Sequence, residues 1–243
     1  MILAILQARL SSTRLPGKVL EPILDEPMIV RQVERLRRST MIDRLVIATS
    51  VDPSDDPLVA ELERRGIEVR RGPLDDVVGR FAGIVEEMAP TTVVRLTADC
   101  PLTDVEVVDR VIRAHLDAGG DYTSNTLKPT YPDGLDVECI SAAAFARLVA
   151  LALTGREREH VTLGLYGRPN EFMLTSVEQE PDLSALRWTV DVAGDLDFVR
   201  SIFGLLYPED PGFGQTAILA LLKQRPDLNR TEEDLARNAG LGQ

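Results

Sequence analysis

Short apolar runs alternate with amphipathic helical patterns through the first half of the chain, and this rhythm restricts the fold more than any other feature. ILAIL at 2–6, RLVIATS at 44–50, IEVRRG at 67–72 and TTVVRLTAD at 91–99 are rich in aliphatic and β-branched residues. The segments at 28–38, from 57, at 75–88 and at 104–117 repeat their apolar residues at helical spacing. Strands joined through helices run parallel, because parallel pairing needs a crossover whereas a tight hairpin reverses direction. Near-continuous apolar strands are those buried on both faces. The rhythm therefore predicts an α/β fold, a mostly parallel sheet with helices on both faces. From about residue 120 it loosens into DYTSNTLKPTYPDGLDVECIS, rich in turn formers, followed by a helix over 141–153 and a charged knot at 156–160. Residues 121–178 read as a small inserted subdomain within one domain covering 1–243. The pattern resumes with strands at 172–178 and 186–191 and helices over 195–206, 215–223 and 231–237, the last with Thr231 as its N-cap.

Charge is unevenly placed. The formal net charge is −12, yet the first twenty residues hold Arg9, Arg14 and Lys18 and no acid. The overall field repels nucleic acid and anionic membrane surfaces, so an anion bound near the start of the chain must be small and locally captured. No apolar run approaches the roughly 18 residues that cross a bilayer. MILAILQARL lacks a basic leader and a small-residue cleavage site, and reads as a strand rather than a signal peptide. Two cysteines, Cys100 and Cys139, suit a reducing compartment, hence the cytoplasm, and are too few for a cysteine-built metal site.

In open α/β sheets, ligands bind beyond the carboxyl ends of the strands, where strand order reverses. Beyond the first strand and Ala8 lie Arg9, Ser11, Ser12, Arg14 and Lys18; beyond the second, Thr49, Ser50 and Asp52; beyond the third, Arg71, Gly72, Asp75 and Asp76; beyond the fourth, Asp99. QARLSSTRLPGK at 7–18 has the parts of a polyphosphate cradle: small hydroxyl residues admit backbone N–H groups, Pro16-Gly17 sets a turn and the cations neutralise charge. The G-x-x-x-x-G-K-[ST] spacing of a P-loop and the dinucleotide G-x-G-x-x-G are both absent. A solvated turn with incidental cations is the competing reading. Asp99 and Asp191 each follow an apolar run directly. They are either helix caps or a pair for Mg²⁺, which takes one or two carboxylates with phosphate oxygens and water. Asp195 suits the N-cap of its helix. In REREHVT at 156–162, Arg156 and Arg158 could clamp a carboxylate with His160 beside them, or the run could neutralise itself through Glu157 and Glu159. His115, late in a helical pattern, is expected at the surface.

Taken in order, ILQARLSSTRLPGKVL, VIATSVDPSDD, RGPLDDVVGRF, VVRLTADCPLTD, DYTSN with YPDGLDVE, REHVT and RWTVDVAGDLDFV resemble the spore-coat-polysaccharide type of cytidylyltransferase, a family similar to CMP-sialate (acylneuraminate) and CMP-Kdo synthetases. The resemblance implies a Rossmann-like core and Mg²⁺-dependent transfer of CMP from CTP to a hydroxyl of a sugar acid or related acceptor, with release of pyrophosphate. It further implies that Arg9, Ser12, Arg14 and Lys18 meet the triphosphate, that Asp99 and Asp191 hold Mg²⁺, and that the segment 71–80, with Arg71, Asp76 and Arg80, contacts the nucleotide. The excursion, with Asn125, Asp133, Asp136, Glu138, Arg158 and His160, would face the sugar and the second subunit of a homodimer. CTP rests on the resemblance, since no residue here tells cytosine from uracil. Two other readings compete: a metal-dependent glycosyltransferase of GT-A-like architecture, with Asp195 and Asp197 as its Asp-x-Asp pair, and a non-catalytic nucleotide-binding protein.

Overall fold

The computed structural model describes residues 1–230, so the helix expected over 231–237 lies outside the described residues. The first half follows the alternation read from the sequence: β1 (Ile2–Gln7), a small hairpin of β2 (Pro22–Ile23) and β3 (Glu26–Pro27), α1 (Met28–Leu36), β4 (Arg44–Ser50), α2 (Asp56–Arg64), β5 (Val69–Gly72), α3 (Val77–Met88), β6 (Thr92–Thr97) and α4 (Val105–Ala118). Then come β7 (Tyr122–Ser124), β8 (Glu138–Ser141), α5 (Ala142–Val149), α6 (Gly155–Glu159), α7 (Leu163–Tyr166), β9 (Leu174–Ser176), α8 (Ala193–Leu206) and α9 (Gln215–Gln224). Local chemistry sets the helix starts. Asp76, Asp104 and Ser141 accept backbone N–H bonds from Gly79, Glu106 and Ala144, and Thr154 forms a capping box with Glu157.

The main sheet has the order β5-β4-β1-β6-β8-β7-β9. β5, β4, β1 and β6 are mutually parallel, β8 runs antiparallel to both its neighbours, and β9 is parallel to β7. Because side chains alternate along a strand, β1 feeds two cores. Leu3 and Ile5 pack in one with Val46, Val93 and the α3 residue Phe81; Ala4 and Leu6 pack in the other with Ile47, Val94 and the α4 residue Val108. Helices thus cover both faces, as expected.

The second half departs from the sequence reading in instructive ways. Residues 121–178 extend the sheet through β7, β8 and β9, and Tyr122, Ile140 and Phe145 join the core shared by Leu3 and Ile5. The helix expected over 141–153 ends at Val149, and the strand expected at 172–178 shrinks to Leu174–Ser176. Residues 186–191 form extended chain instead of a strand, with Arg187 bridged to Asp133. Trp188 N–H donates to the Asp133 carbonyl at 2.6 Å and Val190 N–H to the Asp99 carbonyl at 2.8 Å, so the backbone is shared between two separate loops. The apolar pattern there registers burial of Trp188 and Val190, without a ladder. Asp195 sits inside α8, and its carboxylate reaches back to the N–H groups of Asp191 and Val192 at 2.9 and 3.1 Å. Among the described residues no helix is long and apolar enough to cross a membrane.

His115 is a correction. It is 3 % exposed and shares a 3.1 Å hydrogen bond between Nδ1 and Thr123 Oγ1. It continues the buried stripe of Val108, Val111 and Ile112 on α4. Burial pushes its imidazole below the ordinary range, against the weaker pull of Asp121. An unfolded chain takes up that proton near pH 6.5 while the folded one does not, so folding stability should fall as pH drops below about 6.5. Urea unfolding at pH 7.5, 6.5 and 5.5 should show this loss, and His115→Gln should make it smaller; an unchanged pH slope would show that His115 does not contribute.

Candidate active site

From β1 the chain moves outward to β4 and β5, then crosses back to β6 on the other side of β1. Strand order therefore reverses between β1 and β6, and the loops leaving their carboxyl ends part to form a crevice. Gly17, at φ +75°, opens a short 3₁₀ turn over Lys18–Leu20 that turns Lys18 inward; only glycine takes this backbone without strain. Lys18 is 8 % exposed, and its Nζ donates to the Val190 carbonyl at 2.6 Å. The same ammonium lies 3.1 Å from Asp191 Oδ1 and 3.7 Å from Asp99 Oδ2. Arg14 Nη2 is 2.8 Å from Asp191 Oδ1, and Arg9 Nη2 is 3.8 Å from Glu159 Oε1. All three cations of the loop thus face carboxylates, and Asp99 and Asp191, 92 positions apart in the chain, meet on one lysine.

A residue that sequence reasoning passed over organises this cluster. Arg187 has a side chain 1 % exposed and pairs with Asp133 at 3.2 Å, Asp191 Oδ2 at 2.9 Å and Asp195 at 3.1 Å. Arg230 meets the other oxygen of Asp195 at 3.2 Å. Burial disfavours ionisation of Asp191, but Lys18, Arg187 and Arg14 outweigh it and hold its carboxyl below the usual range. Asp55 was also missed: its buried carboxylate accepts the N–H groups of Leu10 at 2.7 Å and Ser50 at 3.2 Å, fixing the cradle's base to the end of β4.

The other nominated residues divide into those near the crevice and those that build its walls. Ala8 is buried and its N–H bonds to the Ala48 carbonyl at 3.1 Å; Ser11 is exposed, and Ser12 Oγ accepts the Leu15 N–H at 3.3 Å. Arg71 is tied to the Ser50 and Asp52 carbonyls and to Asp56. Arg80, buried, donates to the carbonyls of Pro73 and Leu74 and shapes the loop before α3. Asp76 caps α3 and also accepts from Arg158 at 2.8 Å. Asn125 spends its amide on Leu135 and Val137, and Glu138 pairs with Arg95 and accepts from Tyr122 at 2.6 Å, so both brace β8. Asp136 is half-buried beside that strand. The two acids of the charged knot have partners outside it: Glu157 pairs with Arg168 and Glu159 with Arg9. Burial lowers the His160 imidazole below its ordinary range; Glu159 works against this, and the guanidiniums of Arg95, Arg156 and Arg9 work with it. Both cysteines are free and buried; burial and then Asp99 push the Cys100 thiol well up, which leaves it inert as a nucleophile.

Asp99 and Asp191 fit a hard divalent cation, since two carboxylates already converge on one ammonium. Among the described residues no cluster of three or more His, Cys, Asp or Glu side chains forms a metal site. The remaining ligands would be phosphate oxygens and water.

The sequence profile of the family described as Cytidylyltransferase matches residues 3–183. The chain belongs to the cytidylyltransferase family. It is 34% identical over 233 residues to the spore coat polysaccharide biosynthesis protein SpsF of Bacillus subtilis, covering 93% of this chain and 95% of that one. Among solved structures, a cytidylyltransferase from Leptospira borgpetersenii superposes with a TM-score of 0.88 at 26% identity, covering 93% of this chain and 95% of that one. A CMP:2-keto-3-deoxy-manno-octonic acid synthetase complexed with CTP shares the fold, with a TM-score of 0.65 at 16% identity over 84% of this chain and 98% of that one. So does Rv0371C of Mycobacterium tuberculosis in complex with manganese, with a TM-score of 0.58 at 14% identity over 82% of this chain and 98% of that one. These matches fit the α/β, mostly parallel sheet of this family member.

Removing the buried guanidinium of this cytidylyltransferase leaves three carboxylates without their shared partner. Arg187→Met should cost about 3–5 kcal/mol in urea unfolding, the range for breaking a buried pair by removing one member. A loss below about 1 kcal/mol would show that the cluster relaxes without it.

Proposed function

We propose that this chain transfers CMP from CTP to a hydroxyl of a sugar acid or related acceptor and releases pyrophosphate, with Mg²⁺ as the metal. One observation carries the reading: at the switch point between β1 and β6, Arg14 and Lys18 from one loop meet Asp99 and Asp191 from two others. A triphosphate needs cations and a metal-binding carboxylate pair in the same place, and the family supplies the nucleotide class. Arg9, Ser12, Arg14 and Lys18 would hold the triphosphate, with backbone N–H groups of the loop around Ser11 assisting. Asp99 and Asp191 would hold Mg²⁺, which would offset charge on the α-phosphate and the departing pyrophosphate. The loop shaped by Arg80, together with Asp76, would hold the nucleoside.

The acceptor hydroxyl attacks the α-phosphorus in line with the leaving pyrophosphate, and the protein contributes position and charge without a covalent intermediate. Arg158 is less suited to clamp the acceptor than its sequence position suggests, because Asp76 already engages it. The CMP:2-keto-3-deoxy-manno-octonic acid synthetase among the fold neighbours acts in the same chemical class. The family likeness also brings the expectation of a homodimer. The glycosyltransferase alternative loses its metal pair, since Asp195 is buried and spent on backbone N–H groups and two arginines.

Incubation with each of the four nucleoside triphosphates, Mg²⁺ and a panel of acidic and neutral sugars should give a CMP-linked product by mass, formed only with CTP and an acceptor. Hydrolysis of a sugar nucleotide in its place would overturn the reading. Lys18→Ala should lower turnover about 10²–10³-fold, as loss of one charge-stabilising donor does, and unchanged turnover at saturating CTP would remove Lys18 from the mechanism. Asp99→Asn should abolish the metal-dependent activity.

A further inference from the structure

The cations proposed to grip the triphosphate sit on the carboxylates proposed to grip the metal. Arg14 and Lys18 both approach Oδ1 of Asp191, at 2.8 and 3.1 Å, and Lys18 also approaches Asp99 Oδ2 at 3.7 Å. The two oxygens of Asp191 are not equivalent. Oδ2 is held at 2.9 Å by Arg187, which is sealed in the protein and bound to two further carboxylates. Oδ1 faces Arg14, whose side chain is 39% exposed and can swing away. The third cation, Arg9, is likewise engaged by Glu159 on α6.

We infer that Arg14 and Lys18 are placeholders: they occupy the metal's carboxylates until a triphosphate draws them off, so that metal and nucleoside triphosphate bind as a set. The inference rests on the assignment of Asp99 and Asp191 as metal carboxylates. A dication entering beside the Lys18 ammonium is repelled by a like charge at short range. A triphosphate offers both cations oxygens of higher charge, in the charge-assisted geometry that guanidinium and ammonium favour. Moving Arg14 and Lys18 onto phosphate frees Oδ1 of Asp191 and Oδ2 of Asp99, while Arg187 keeps Asp191 in place. The coupling is reciprocal, as any binding linkage must be: the metal, once seated, holds the two carboxylates away from the cations and leaves these to the phosphates. Coupling of this kind is typically about 5–150-fold in affinity.

The test is Mn²⁺ binding to the full chain without nucleotide, followed by electron paramagnetic resonance. Wild type should bind weakly. Lys18→Met and, independently, Arg14→Gln should bind Mn²⁺ more tightly, by a factor within the same range of about 5–150, although both substitutions damage the proposed activity. Adding Asp191→Asn to either variant should remove the gain. Arg14 is exposed, so its variant keeps the experiment decisive if Lys18→Met does not fold. Binding no tighter than wild type in the folded variants overturns the inference, as does a gain that survives Asp191→Asn. The proposed activity is judged separately, by the CMP-linked product of the wild type: its absence sinks that reading and leaves the Mn²⁺ titration intact, whereas product without any gain in the variants sinks the placeholder role alone.

Discussion

The carboxyl end of the sheet hangs on one guanidinium that water does not reach. Arg187 joins Asp133 of the segment between β7 and β8, Asp191 of the extended chain and Asp195 of α8. These come from three stretches that share no ladder. A buried ionic cluster of this kind is weak evidence for net stability, because desolvation offsets most of the attraction. Its effect is geometric: it gives each carboxylate one place to be. Asp191 inherits that position, and the approach of Lys18 and Arg14 depends on it.

The parallel half of the fold was legible because its strands are written in β-branched, two-sided apolar runs, and the crevice followed from the rule about strand ends. β7 and β8 were not legible. They are three and four residues long, sit among turn formers, and exist because β6 offers an edge to β8, a partner more than 40 positions distant. Such strands depend on context more than on intrinsic preference. The run at 186–191 misled in the opposite sense: its alternation reports burial, and its backbone bonds go to two loops. Arg187 and Asp55 escaped notice because a charge inside an apolar run or a turn gives no local sign of burial. His115 was within reach, since it falls three and four residues beyond Ile112 and Val111 on one helical stripe. Both readings of the charged knot paired its acids and bases within the knot or with a ligand. The observed partners, Arg9, Asp76 and Arg168, are distant in sequence or lie just past the next helix.

The strands around β6 have a different construction. Arg95 on β6 donates to Gln7 on β1 at 3.2 Å and pairs with Glu138 on β8, which in turn accepts from Tyr122 on β7. A row of polar side chains thus crosses four adjacent strands on one face of the sheet. Low local dielectric strengthens such a network when its members are satisfied. It gives this face of the sheet a fixed polarity.

The peptide unit between Val190 and Asp191 is bonded on one side through its carbonyl to Lys18, while the Val190 N–H meets the Asp99 carbonyl, which also accepts from Thr189 Oγ1 at 3.2 Å. The spacing of the two acidic loops is therefore gauged by main chain. Side chains at position 190 can drift among apolar residues, at some expense in packing, without altering that gauge. Substitutions can reshape the walls of this crevice while the ruler between Asp99 and Asp191 stays the same length.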